Sequence, residues 1–252
     1  MRVTRWLLPA LIVVALIAVW QVLAKTGVLA NALNLDDILV PPPSEIASAL
    51  WENRSLLLDN AWVTLKEILL GFLLAAAIGL AFAVLLHVSP TLRRAFYPLL
   101  VASQTIPPVA IAPILVVWFG FGAGPKVALV ALICFFPITD NTLDGLRSVD
   151  ADAVKMMRSL DASRWQIFQR VEAPSALPFA FSGAKIAVAV AVIAAVFGEF
   201  SGASSGLGHM ILQDSSQLET ARMFAAVVLL SVLAIGLFGL LALLERAVVR
   251  WK

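Results

Sequence analysis

Chemistry at neutral pH asks for bases, nucleophiles or metal ligands, and this chain offers few. It has two histidines, His87 and His209, and neither belongs to a His-Glu-x-x-His pattern that would seat zinc. The single cysteine, Cys134, lies in an apolar run and reads as a small buried residue, so neither a disulfide nor a thiolate metal site is available. Gly120-Phe-Gly-Ala-Gly-Pro-Lys126 superficially resembles a phosphate loop, but Pro125 stands where that loop needs its second glycine and no strand precedes it. The expectation is a chain with no catalytic residue, no metal site and no ATP of its own. The remaining candidates for chemistry are the acids Glu67, Asp140, Glu199 and Glu245. All stand near the ends of apolar runs, where solvated positions cost little. Asp140 and Glu199 are the two that could serve a path through a membrane. Glu199 precedes the glycine- and serine-rich stretch Ser201-Gly-Ala-Ser-Ser-Gly-Leu-Gly208.

The elements that must hold these groups are set by composition. The chain is 61% hydrophobic and 13% charged, where a soluble domain carries about 25% charged residues. Its mean hydropathy is +0.96, so a bilayer is the solvent for most of it. Six apolar runs of spanning length are expected, at about 6–24, 61–87, 95–119, 125–143, 184–200 and 221–245. The first follows Arg2 and Arg5, but its stretch from Trp6 to Ala24 exceeds a signal-peptide core and reads as a retained span. The chain divides into 1–60, a first span with an outer amphipathic segment, and 61–252, a five-span core with a charged loop at 144–182.

Basic residues orient the spans. With the N-terminus inside, one side holds Arg2, Arg5, Arg93, Arg94, Arg147, Lys155, Arg158, Arg164, Arg170, Lys185, Arg246, Arg250 and Lys252. The other holds Lys25, Arg54, Lys66, Lys126 and Arg222. Both termini and the 144–182 loop are therefore expected in the cytoplasm. A net charge of +2 gives no reason to expect nucleic acid as a partner. Outside, Pro41-Pro42-Pro43 predicts an extended run, with Ser44 capping a short amphipathic helix through Ile46, Leu50 and Trp51. In the third span, Pro98, Pro107, Pro108 and Pro113 beside Ser103, Gln104 and Thr105 are read either as bends that serve packing or as a broken helix that lines a cavity.

The charged loop is the exception to an otherwise apolar chain. Asp150 or Asp152 can cap a helix that carries Val154, Met157 and Leu160 on one face, with Lys155 and Arg158 elsewhere. Ser163 and Gln166 form a capping box for a second helix bearing Trp165 and Phe168, which Pro174 and Pro178 are expected to end. Such an element can rest on anionic lipid. Its methionines and aromatics suit a socket in a partner protein better.

This segment resembles the coupling loop of permease subunits of ATP-binding-cassette importers, whose pattern is Glu-Ala-Ala, a spaced Gly and a downstream Ile-x-Leu-Pro. Here the matching positions read Lys155-Met156-Met157-Arg-Ser-Leu-Asp161 and Val171-Glu-Ala-Pro174, so the Glu, both Ala and the Gly are replaced. Further stretches resemble the nitrate, sulfonate and taurine branch: Ile106 to Gly122, Phe135-Phe-Pro137, Asn141-Thr142, Gly145-Leu-Arg-Ser-Val149, Ala162-Ser-Arg-Trp-Gln166, Ser205-Gly-Leu-Gly208, and Leu244-Glu-Arg through Trp251. The resemblance implies an all-α, six-span bacterial inner-membrane permease of the type I importer fold, with a cytoplasmic coupling helix between spans four and five. It implies cytoplasmic ATPase subunits that hold the ATP and magnesium, an extracytoplasmic solute-binding protein, and a second copy of the chain in a homodimer. Asp152, Val154, Lys155, Met157, Arg158, Leu160, Asp161 and Arg164 would contact the ATPase. Ser103, Gln104, Asn141 and Glu199 would line the substrate path. Ser103-Gln-Thr-Ile-Pro107 stands where sulfonate-type permeases carry Leu-Arg-Pro-Ile-Pro. With Gly198-Glu-Phe200, this resembles members that import pyrimidine precursors of thiamine or riboflavin-like compounds, in place of a sulfonate- or nitrate-type anion. The rival expectation is a stand-alone ion-coupled carrier that uses Asp140.

Overall fold

The computed structural model describes residues 4–250, which contain helices and turns and no strand. Arg2 of the charge count and the closing Trp251 and Lys252 lie outside the described residues. The helices are α1 (Thr4–Lys25), α2 (Val28–Leu33), α3 (Pro43–Glu52), α4 (Arg54–Val88), α5 (Pro90–Ser103), α6 (Pro108–Phe119), α7 (Ala123–Arg147), α8 (Ala151–Ser159), α9 (Arg164–Ile167), α10 (Ala173–Phe200), α11 (Leu207–Gln217) and α12 (Thr220–Val248). All six apolar runs are helical. Among the described residues, α4, α7, α12 and the stretch Arg164–Phe200 are each long and apolar enough to cross a membrane. The α5–α6 pair, bent by 101° at its break, is apolar enough to make a fifth pass if the two helices form one span. The 22 residues of α1 extend about 33 Å.

The third span is broken at its prolines. Pro107 and Pro108 cannot donate to the preceding turn, so α5 ends and α6 starts afresh with Pro108 at its first position. Side chains take over the carbonyls left open at the end of α5: Ser103 Oγ donates to Leu100 O at 2.6 Å and Thr105 Oγ1 to Ala102 O at 2.8 Å.

The chain forms two compact units. One comprises Met1–Trp62 with Ser205–Leu230. Here α3 starts two residues earlier than expected, at Pro43, with Pro42 in place of Ser44 as its cap. Ser44 is therefore inside the helix, where its N–H donates to Gln21 Oε1 at 2.8 Å and its hydroxyl accepts from Gln21 Nε2 at 3.0 Å. A proline at the first helical position has no N–H to satisfy, and Gln21 serves the next one. Ile46 and Ala49 are buried, whereas Trp51 is exposed. Asp214, buried on α11, accepts from Arg222 Nε at 3.0 Å and Nη2 at 2.6 Å.

The second unit comprises Val63–Ser204 with Ser231–Lys252. Its core is the α7–α10 contact, and glycines set how close the helices come. A Cβ on Gly183 would stand 2.5 Å from Pro137 O, and one on Gly145 would stand 2.6 Å from Phe179 Cβ. Small residues permit such approach in lipid, where apolar burial alone does not bind helix to helix. Short polar links add to the packing: Cys134 Sγ donates to Ala187 O between α7 and α10, and Thr139 Oγ1 donates to Gly79 O between α7 and α4, both at 3.3 Å.

Pro174 and Pro178 do not end the second loop helix as expected. The helix runs on from Arg164 to Phe200 through a π-helical turn at Phe168–Glu172. That wider turn lies just before Pro174 and relaxes the ladder where the proline ring would otherwise meet a preceding carbonyl. The loop at 144–182 therefore contains one free-standing helix, α8, and the start of a long one.

Candidate functional site

Asp150 caps α8, its carboxylate accepting from Asp152 N at 2.8 Å. The helix stops at Leu160 because Asp161 adopts φ 52°, and Ala162 N then returns to Met157 O at 3.1 Å. This left-handed position is where the family pattern carries glycine, and aspartate is among the few other residues that tolerate it. Ser163 then opens α9 with the expected capping box: its N–H donates to Gln166 Oε1 at 2.8 Å, and its hydroxyl accepts from Gln166 N at 3.3 Å. The rings of Trp165 and Phe168 stack 5.6 Å apart.

The result is a helix–turn–helix that leaves large side chains in the open. Met156 is 60% exposed, Leu160 72% and Trp165 62%. Val154 and Met157, on the face predicted for contact, are half-buried, and Asp152, Lys155, Arg158, Asp161 and Arg164 are exposed. Lys155 Nζ pairs with Asp152 Oδ1 at 2.8 Å. Behind this element, α4 ends at a cavity of about 290 Å³ walled by Val84, Val88 and Ile167. In it, His87 Nε2 and Glu172 Oε2 are 3.1 Å apart.

The residues predicted for a substrate path lie on different elements. Ser103 and Gln104 lie at the α5–α6 bend, Gln104 exposed and donating to Ser103 Oγ at 3.3 Å. Asn141 Nδ2 is taken up by Pro137 O at 2.8 Å, opposite Gly183 on α10. Glu199 is 16 residues farther along that helix, about 24 Å away. Asp140 accepts from Tyr97 Oη at 3.0 Å.

Glu67 and Glu245, expected in solvent, are instead drawn inside, and Glu199 is buried with Glu67. Glu67 is 3% exposed and pairs with Lys126, itself 5% exposed, at 3.2 Å. Beside them Glu199, 1% exposed, accepts from Thr64 Oγ1 at 2.6 Å. Glu245 is partly buried against Lys185. Lys126 stands in the first turn of α7 and Glu199 in the last turn of α10, so each sits at the helix end its charge least favours and needs a partner charge or hydrogen bond. Gly198 lets the lysine stem lie against α10, since a Cβ there would meet Lys126 Cγ at 3.2 Å. Sequence reading missed this cluster. Its one trace was a lysine and acids at span ends, with nothing to say that they meet.

Gly202-Ala-Ser-Ser-Gly206 has the spacing of a hydrolase nucleophile elbow. It follows a helix instead of the strand on which that elbow is built. No group of three or more His, Cys, Asp or Glu among the described residues could hold a metal ion.

Residues 68–250 match the model of a family described as binding-protein-dependent transport system inner membrane component. The chain is 36% identical to the formylaminopyrimidine transport permease protein ThiX of Halalkalibacterium halodurans, over 97% of this chain and 95% of that one. It is 37% identical to the riboflavin transport system permease protein RibX of Chloroflexus aurantiacus, over 85% and 81%. Among solved structures, an inward-facing MetNI methionine transporter chain shares the fold with a TM-score of 0.70 at 23% identity, covering 78% of this chain and 98% of that one.

Proposed function

The chain belongs to the binding-protein-dependent transport system inner membrane components, and from that membership we propose which solute it carries and what drives it. It is a membrane-spanning permease subunit of an ATP-binding-cassette importer. The proposed cargo is a small, uncharged nitrogen heterocycle of the pyrimidine-precursor or riboflavin-like kind. Two relatives named for such transport support this, as does Gln104, an uncharged hydrogen-bonding side chain exposed at the bend of the broken span.

The proposed drive is a separate cytoplasmic ATPase that carries the ATP and magnesium and closes on the α8 element. One observation carries this part: Met156, Leu160 and Trp165 stand exposed on a capped, self-consistent helix–turn–helix. In a partner's socket they would act as anchors. In this reading both termini and α8 face the cytoplasm, two copies of the chain pair around the path, and a solute-binding protein delivers cargo from outside. Asp152, Val154, Lys155, Met157, Arg158, Asp161 and Arg164 complete the docking surface, and Ser103, Asn141 and Glu199 bear on the path.

The test is gentle purification of the tagged chain from its native membrane, with mass spectrometry of what accompanies it and of the small molecule held by any binding protein. We expect a stoichiometric nucleotide-binding subunit and a heterocyclic ligand. A chain that emerges alone, and whose uptake follows an ion gradient and fails in Asp140→Asn, would overturn the proposal.

A further inference from the structure

The cavity at the end of α4 carries an inference that does not depend on the cargo, although it shares Arg158, Arg164 and Trp165 with the proposed docking surface. Its polar lining is His87 from the last turn of α4, Arg158 from the last turn of α8, Arg164 from the first turn of α9, and Glu172 from the π-helical turn. Glu172, the one carboxylate in the lining, is engaged by His87 at 3.1 Å. Among the described residues, neither Arg158 nor Arg164 has a side-chain hydrogen bond or ion pair. Two arginines therefore border a concave space of about 290 Å³ without a counter-charge of their own. The stacked rings of Trp165 and Phe168 form one wall.

We propose that this cavity binds a phosphate group, held between Arg158 and Arg164. Guanidinium is the side chain best shaped for phosphate, presenting planar N–H pairs that match two oxygens at once. The volume is at the lower edge of small-ligand sites and suits a phosphate with its adjoining glycerol. Two sources carry that chemistry: the headgroup of an anionic phospholipid, and a free phosphate or phosphomonoester. The lipid is favoured by position. The apolar run of α4 ends at His87, where headgroups begin, and Val84, Val88 and Ile167 supply a surface for glycerol and the first acyl carbons. A bound headgroup would brace α8 against the end of α4, so membrane composition would set the position of α8.

The experiment uses the full chain, checked for helical content by circular dichroism. Native mass spectrometry measures retention of phosphatidylglycerol against phosphatidylcholine, and calorimetry measures binding of inorganic phosphate. We expect one phosphatidylglycerol held in preference by about tenfold or more, and the preference lost in Arg158→Gln/Arg164→Gln. Lys155→Gln/Arg170→Gln, which removes the same charge from the same element outside the cavity, should keep it. Inorganic phosphate that binds with the same dependence on Arg158 and Arg164 and displaces the lipid would support the site and assign it to a soluble ligand. No preference in the unaltered chain, or equal loss in both double variants, would overturn the proposal, the latter because the attraction would then be diffuse.

Discussion

Two lysine–carboxylate pairs of this chain are alike in length and opposite in surroundings. Lys126 and Glu67 stand 3.2 Å apart with side chains 6% and 3% exposed. Lys155 and Asp152 stand 2.8 Å apart at 73% and 82%. Around the first pair the protein has gathered Glu199, Thr64 and a glycine that makes room. Around the second it has left Met156, Leu160 and Trp165 in the open. Buried charges must be compensated within the chain, because removing one partner strands the other in a low-dielectric interior. Exposed charges are compensated by water and are free to take part in docking. The inner cluster therefore maintains the fold, and the outer element is the part available to a partner.

The sharpest way to break this contrast is Lys126→Met. It should lower stability by about 3–5 kcal/mol, seen as loss of monodisperse protein and a lower thermal midpoint in detergent. Glu67→Met/Lys126→Met should recover most of that loss. Equal midpoints for Lys126→Met and the unaltered chain would mean that the cluster is not structural. Next in size is Leu160→Asp, which should weaken ATPase association by roughly thirtyfold, about 2 kcal/mol, with the thermal midpoint unmoved. Unimpaired association there would remove the docking role from α8. The smallest effect belongs to Lys155→Ala, whose midpoint should shift by less than about 0.5 kcal/mol equivalent. A destabilisation comparable to that of Lys126→Met would end the contrast.

Local signals were readable and distant meetings were not. The Asp150 cap, the Ser163–Gln166 capping box and the break at Pro107-Pro108 all depend on residues a few positions apart, and each is present. The meeting of Thr64 with Glu199 joins positions 135 residues apart, and helix packing alone brings it about. The same limit explains Glu67, expected in solvent from its place near a span end and found paired inside with a lysine from another helix. Pro174 and Pro178 mislead for a different reason. Proline is a strong stop in an ideal helix, yet a preceding π turn lets the chain continue, and no simple spacing rule announces that turn.

The unbroken run from Arg164 to Phe200 has a mechanical consequence. Its 37 residues make a rod of about 55 Å. Trp165 is at one tip, and at the other Glu199 joins the buried cluster. Pivoted near Glu199, a tilt of about 5° would swing the Trp165 tip by about 5 Å, the scale of a one-turn shift between packed helices. The π turn at Phe168–Glu172 is where the α-helical ladder of this rod is interrupted, close to the Trp165 tip and far from the buried cluster.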